Sequence, residues 1–175
     1  MLSVRKVGII ADTHDRIRLI DEAVEKLNNE GVELVLHAGD YVAPFAVLHF
    51  KPLKAKLVGV FGNNDGDQNL LRKKFDEIGA QIYGKFAELN LNDLRVALIH
   101  GEEESLLKAL IKANYYDVVV HGHTHKAEVY TVGKTLVINP GEICGYLSGQ
   151  ATMAILQVEK RKAEIISLDD STCLK

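Results

Sequence analysis

Apolar positions along the chain gather into short runs, and each of five runs stops at a polar patch. The runs at 7–11, 33–38, 56–61, 95–99 and 117–120 are rich in Val, Ile and Leu and too short for helices, so they read as buried strands. Asp12-Thr13-His14, Gly39-Asp40, Gly62-Asn63-Asn64-Asp65, His100-Gly101 and Gly122-His123-Thr124-His125 follow them in turn. Between the strands the spacing changes to a helical one. Ile20, Ala23, Val24 and Leu27 share a face and Gly31 supplies a stop; Leu71, Phe75 and Ile78 precede Gly79; Leu106, Leu107, Leu110 and Ile111 precede Asn114. Such crossover helices make the early strands parallel and put functional loops at their carboxyl ends, where the first three patches lie.

The later chain has hairpin spacing. Asn92-Asp93 separates 86–91 from 94–99, Gly133-Lys134 separates 127–132 from 135–138 as a type II′ turn would, and 151–158 can pair with 163–168. Antiparallel hairpins added to parallel units give more strands than one sheet holds comfortably. The expectation is an α/β fold of two mixed sheets packed face to face with helices outside, in one domain over 1–175, with no linker or repeat.

The patches carry carboxylate, imidazole and carboxamide groups, all competent ligands for a divalent transition metal. In extended chain, residues two apart point to one face roughly 6 to 7 Å from each other, so Asp12 with His14 and His123 with His125 can act as paired arms. Glycines at 39, 62, 101 and 122 leave room for a turn or a close ligand. A cap or a loop hydrogen bond explains any one patch. Five in one chain point to a metal site on a common sheet edge.

Composition narrows the alternatives. With 47% hydrophobic and 26% charged residues the chain is neither disordered nor fibrous. The first apolar run is broken at once by Asp12, which argues against a secretory or membrane-spanning segment and for a cytoplasmic protein. A net charge of -3, from 21 basic and 24 acidic residues, leaves no basic stripe for nucleic acid. Arg72-Lys73-Lys74 reads as a solvated helix face and Glu159-Lys160-Arg161-Lys162 as a hairpin tip. Cys144 and Cys173 form neither a disulfide framework nor a thiolate motif; Cys173 is expected to be frayed or exposed and Cys144 to pack.

The ordered motifs Asp-x-His, Gly-Asp, Gly-Asn-x-Asp, His-Gly and Gly-His-Thr-His resemble those of the binuclear metallophosphoesterases, also called calcineurin-like phosphoesterases. Chain length and Asn139-Pro140-Gly141 place the resemblance nearest the small prokaryotic phosphodiesterase branch, with motifs matching from residue 5 to about 142. The resemblance implies a four-layer αββα sandwich and two divalent ions, one held by Asp12, His14 and His125, the other by Asn63, His100 and His123, with Asp40 bridging. Mixed nitrogen and oxygen donors favour manganese first, then iron, nickel, cobalt or zinc, over calcium and magnesium. In the implied chemistry a metal-bridging hydroxide attacks phosphorus in line, without a covalent enzyme intermediate. Two dications offset by Asp12, Asp40 and hydroxide leave about one positive charge, which suits a phosphodiester monoanion.

The implied activity is hydrolysis of a small or nucleotide-like phosphodiester. A phosphomonoesterase is the alternative enzyme, and a protein-binding scaffold like the retromer subunit of this fold is the alternative class; homo-oligomerisation is left open. All seven ligand positions hold competent donors, which favours the enzyme. Two positions depart from the family. Asn64 stands where the larger family has His and the small branch often has Cys; an amide can contact a phosphoryl oxygen but cannot transfer a proton. This lack of an acid, with no arginine beside the motifs, favours diesters. Glu142 stands where Asn-Pro-Gly-Ser is usual, and a carboxylate there repels an anionic substrate unless it points away or is paired. Asp65 is expected to orient a ligand imidazole, and His37 and His121 to pack behind the ligands. Tyr41 and Phe45 suit either a pocket wall or the core, and His49 has no companion motif.

Overall fold

The computed structural model describes residues 4–168, so Cys173 lies outside the described residues. In chain order the elements are β1 Lys6–Ile10, α1 Ile17–Glu30, β2 Leu34–His37, a 3₁₀ segment Pro44–Phe50, β3 Lys56–Gly59, α2 Gln68–Glu77, β4 Gln81–Ile82, β5 Phe86–Leu91, β6 Leu94–Ile99, α3 Glu104–Lys112, β7 Val118–Val120, β8 Ala127–Val132, β9 Thr135–Pro140, β10 Thr152–Gln157 and β11 Lys162–Ser167. They form one sheet of order β11-β10-β1-β2-β3-β4 and another of order β5-β6-β7-β9-β8. β1 to β4 are parallel, β6 is parallel to β7 and β7 to β9, and the remaining pairs are antiparallel hairpins or their neighbours. The expected sandwich of two mixed sheets is therefore present.

Alternation along the strands builds three apolar layers. Val7, Ile9, Leu34, Leu36 and Val58 of the first sheet meet Val96, Leu98, Val118, Val120 and Ile138 of the second. The opposite faces of those strands bury Ile10, Val35 and Leu57 against Leu19, Ile20, Ala23 and Leu27 of α1 and Leu71 and Phe75 of α2. On the far side Ala97, Ile99, Val119 and Val137 pack under Leu107 and Ile111 of α3. Helices thus cover the outer faces, as strands buried on both sides require.

Local chemistry accounts for the boundaries. Gly31 ends α1 with φ +66, a left-handed cap that costs a residue without Cβ little. Asp67 caps α2 by accepting from the Leu70 amide. Leu106 departs from its expected buried face and is 48% exposed, because Leu107 and Ile111 are the i, i+4 pair that makes the seam of this short helix. The 3₁₀ segment and the two-residue β4 carry no periodic signal long enough to detect; Ala46, Val47 and Phe50 of the former are nevertheless buried. Tyr41 belongs to the core, its ring 3.9 Å from His37 and edge-on to Phe75, whereas Phe45 is exposed. Among the described residues no helix is long and apolar enough to cross a membrane.

Candidate metal centre

Five loops converge where the carboxyl ends of β1, β2, β3, β6 and β7 meet. The backbone ties them: the Asp12 amide donates to Gly39 O at 3.0 Å, the His14 amide to Asp40 O at 3.0 Å and the Gly122 amide to His100 O at 2.9 Å. Approach across the two sheets is close. A Cβ on Gly122 would sit 2.7 Å from Ala11 Cβ, and one on Gly62 would sit 2.1 Å from Asp40 Oδ1, so both positions require glycine.

The expected i, i+2 convergence holds in position but not in its cause. Asp12 (φ +50), His14 (φ +45), His123 (φ +67) and His125 (φ +58) occupy the left-handed region, in loops past the ends of β1 and β7. Asp40 (φ +63) does the same. Among the described residues, five of the nine non-glycine residues with positive φ are therefore expected ligands, and backbone strain is concentrated where the loops aim side chains inward.

The seven expected ligands fall into two contacting groups. Asp12 Oδ1 lies 3.5 Å from His125 Nε2, and the His125 and His14 rings are 5.8 Å apart. His100 Nε2 lies 3.0 Å from Asn63 Oδ1 and 3.4 Å from Asp40 Oδ2, with the His123 ring 5.1 Å away. Donor atoms of Asp12, Asp40 and His100 fall within 4.8 Å of each other, which joins the two groups. Asp12 Oδ1 and His14 Nε2 are buried and have no hydrogen-bond partner. A cation between them would satisfy both, so the residues present fit divalent metal binding.

Electrostatics separates the carboxylates. Burial pushes Asp12 up to about 6 against the lowering pull of His100 and His125. Burial also raises Asp40, but His100 and the Asn64 amides outweigh it and hold its carboxyl well below the usual range. His100 is correspondingly raised to about 8, since the hydrogen bond and charge of Asp40 overcome burial. Burial lowers His14 and His123, which favours neutral imidazole.

The supporting residues divide differently from expectation. Asp65 accepts from the amides of Asp40, Tyr41, Val42 and Gly62 at 2.7 to 3.0 Å, so it braces the Asp40 loop instead of an imidazole. Three successive amides of the Asp40 loop, joined by that of Gly62, present a nest that a carboxylate satisfies more fully than one ring N–H could. Asn64 Nδ2 donates to Asp40 Oδ2 at 2.7 Å, and its backbone amide to Oδ1 at 2.9 Å. His37 accepts from the Gly39 amide and contacts Thr13 Oγ1 at 3.0 Å; His121 meets Gly122 O and Asn139. His49 pairs at the surface with Asp21.

In the 142–148 segment sequence reasoning singled out Glu142 and Cys144 but passed over Tyr146. Glu142 is buried and paired, accepting from His125 Nδ1 at 2.7 Å. Cys144 Sγ lies within 4.8 Å of the His14 and His125 nitrogens and donates to Glu142, and burial with that bond raises its thiol. Tyr146 stands edge-on to His14 with the Arg16 guanidinium 5.0 Å from its ring centre, so an arginine does lie near the site. Position 16 carries no motif that would have marked it.

Two mixed sheets whose adjoining edges carry this carboxylate and imidazole cluster define a metallophosphoesterase-type fold, and the sequence agrees: residues 6–161 match the calcineurin-like phosphoesterase superfamily domain, and the chain belongs to that family. It is 41% identical to a phosphodiesterase of Methanocaldococcus jannaschii over 165 residues, 94% of this chain and 99% of that protein. A probable metallophosphoesterase of Methanothermobacter thermautotrophicus is 31% identical, with 95% of each chain covered. Among solved structures an archaeal phosphodiesterase superposes with TM-score 0.89 at 41% identity, covering 93% of this chain and 99% of that one. Zinc-bound Vps29 of Entamoeba histolytica, at TM-score 0.67 and 19% identity over 94% and 99%, shares the fold alone. The family is one of divalent metal enzymes, and the fold and the hydrolase class expected from the motifs are those found.

Proposed function

We propose that this metallophosphoesterase hydrolyses a small or nucleotide-like phosphodiester at a centre for two divalent ions. One ion would be held by Asp12, His14, Asp40 and His125, the other by Asp40, Asn63, His100 and His123. The observation that carries this reading is the pair of buried, unpartnered atoms Asp12 Oδ1 and His14 Nε2 beside His125. Divalent ions bound there supply Lewis-acid polarisation of the phosphoryl oxygens and a water acidic enough to act near neutral pH.

The chain's own residues do the rest. Asp40, held as an anion by His100 and by both Asn64 amides, would be the carboxylate the two ions share. Its loop is kept in the left-handed conformation by Asp65. No imidazole stands at position 64 to protonate a leaving group, which favours esters whose leaving oxygen needs little help. The phosphodiesterase relative at 41% identity supports the diester reading. The nitrogen-rich donor set supports manganese ahead of iron, nickel, cobalt or zinc.

The test is exhaustive chelation followed by metal analysis and re-addition of single metals, against matched mono- and diester substrates. Activity on diesters should vanish with the metal and return with manganese better than with magnesium. Full activity after the metal is shown to be gone would sink the reading, and a monoester preference under every metal would overturn its substrate half.

A further inference from the structure

Glu142 is buried with no exposure, yet every group around its carboxylate is a hydrogen-bond donor. Oε2 accepts from His125 Nδ1 at 2.7 Å, Cys144 Sγ at 2.9 Å and the Tyr146 amide at 3.0 Å. Oε1 accepts from the Leu147 amide at 2.9 Å and from the Ser148 amide and hydroxyl. One carboxylate therefore ties a ring on the β7 loop to a strap at 144–148 whose Tyr146 reaches the His14 ring. We propose that Glu142 is the positioning residue for His125, fixing its Nδ1–H tautomer so that Nε2 faces Asp12 with a free lone pair, and locking the Tyr146 strap to that same ring. The inference rests on the reading of Asp12, His14 and His125 as one side of a metal centre.

The physical reason is the asymmetry of imidazole. A neutral ring carries one N–H; with Nδ1–H committed to Glu142, Nε2 must be the acceptor, 3.5 Å from Asp12 Oδ1. A glutamine at 142 cannot reproduce this. Its NH₂ would face donors in either orientation: Leu147 and Ser148 in one, His125, Cys144 and Tyr146 in the other. The second orientation makes His125 Nδ1 an acceptor and moves the proton to Nε2, where it blocks a ligand.

The test reads the tautomer directly in the metal-free protein, by long-range ¹H–¹⁵N correlation of the imidazoles at mildly alkaline pH, with His125 assigned against His125→Gln. Wild type should show Nδ1–H, and Glu142→Gln should lose it in part or whole; Ser148→Ala, which touches only the Oε1 side, should keep it. Calorimetric titration with Mn²⁺ should show a loss of affinity of about 10- to 100-fold in Glu142→Gln, the scale of removing an outer partner of a metal ligand. An Nε2–H tautomer in the wild-type protein overturns the proposal without any variant, which guards against Glu142→Gln failing to fold. So does an Nδ1–H tautomer kept unchanged in a folded Glu142→Leu, which offers Nδ1 no acceptor in any orientation. If wild type binds no Mn²⁺ while the tautomers behave as stated, the metal-centre reading fails and the positioning of His125 by Glu142 stands.

Discussion

On the Asp12 side of the cluster two buried polar atoms have no partner, whereas on the Asn63 side the His100 ring has both nitrogens engaged. Asp12 Oδ1 and His14 Nε2 are unsatisfied, each at a cost of roughly 1–3 kcal/mol by the usual scale for buried polar groups. His100, by contrast, contacts Asn63, Asp40 and Ala38 O at 2.7 to 3.4 Å and holds a proton up to about pH 8. The donors are similar and the starting states are not. A cation entering the Asp12 side relieves an existing penalty; one entering the Asn63 side must displace a proton and hydrogen bonds. The two sides should therefore fill in order, with Asp12, His14 and His125 first.

The largest expected effect removes what the sides share. Asp40→Asn takes a charge from both and should lower turnover by more than about a hundredfold, since even outer partners of metal ligands cost 10- to 100-fold. Near-normal turnover with unchanged metal content would end the two-sided picture.

His14→Ala and His123→Ala separate the sides. Each should lower bound metal from two ions to one, and His14→Ala should cost the tighter site. Metal analysis with competition titration decides it; the same site lost in both variants would mean the histidines serve a single ion.

How far the sequence anticipates this site depends on the kind of interaction. The seven candidate ligands could be read because each follows a buried strand, and strand ends must emerge at a sheet edge. The reason the pairs converge could not, because a left-handed Asp12 or His125 is set by loop contacts and not by the residue type. Asp65 was misjudged, and the partners of Glu142 were left open, for one shared cause: a carboxylate answering several backbone amides depends on how its loop turns, and amides look alike at every position. Arg16 was missed because its relation to Tyr146 spans two elements far apart in sequence.

Proton release gives a finer measure of the difference. At neutral pH Asp12, near 6, and His14, lowered by burial, are mostly deprotonated, while His100, near 8, is mostly protonated. Because proton and metal compete for His100 Nε2, affinity of the Asn63 side should rise with pH up to about 8 and level off above it. The Asp12 side should change little over the same span. Calorimetry at pH 7 in buffers of different ionisation enthalpy should show close to one proton released with the second ion and far less with the first. Equal release at both steps would remove the asymmetry.

The smallest effect concerns Asn64, which belongs to the Asn63 side through Asp40. Its amide is committed to Asp40 Oδ2, so Asn64→Ala removes one hydrogen bond to a charged group and should cost somewhat over about tenfold in turnover for every ester, the low end of the roughly 1.5–3 kcal/mol such bonds carry. Asn64→His tests whether the position can also serve a leaving group. A well-placed general acid is worth roughly 10²- to 10⁴-fold, but an imidazole here is drawn to the same carboxylate, so the expected gain is below about tenfold, and only for alkyl leaving groups of high pKa. Aryl esters, which depart without protonation, should gain nothing. The measurement is the slope of log rate against leaving-group pKa in wild type, Asn64→Ala and Asn64→His. A shallower slope in Asn64→His alone places residue 64 beside the leaving oxygen; three parallel lines would show that it acts through Asp40 and through nothing else.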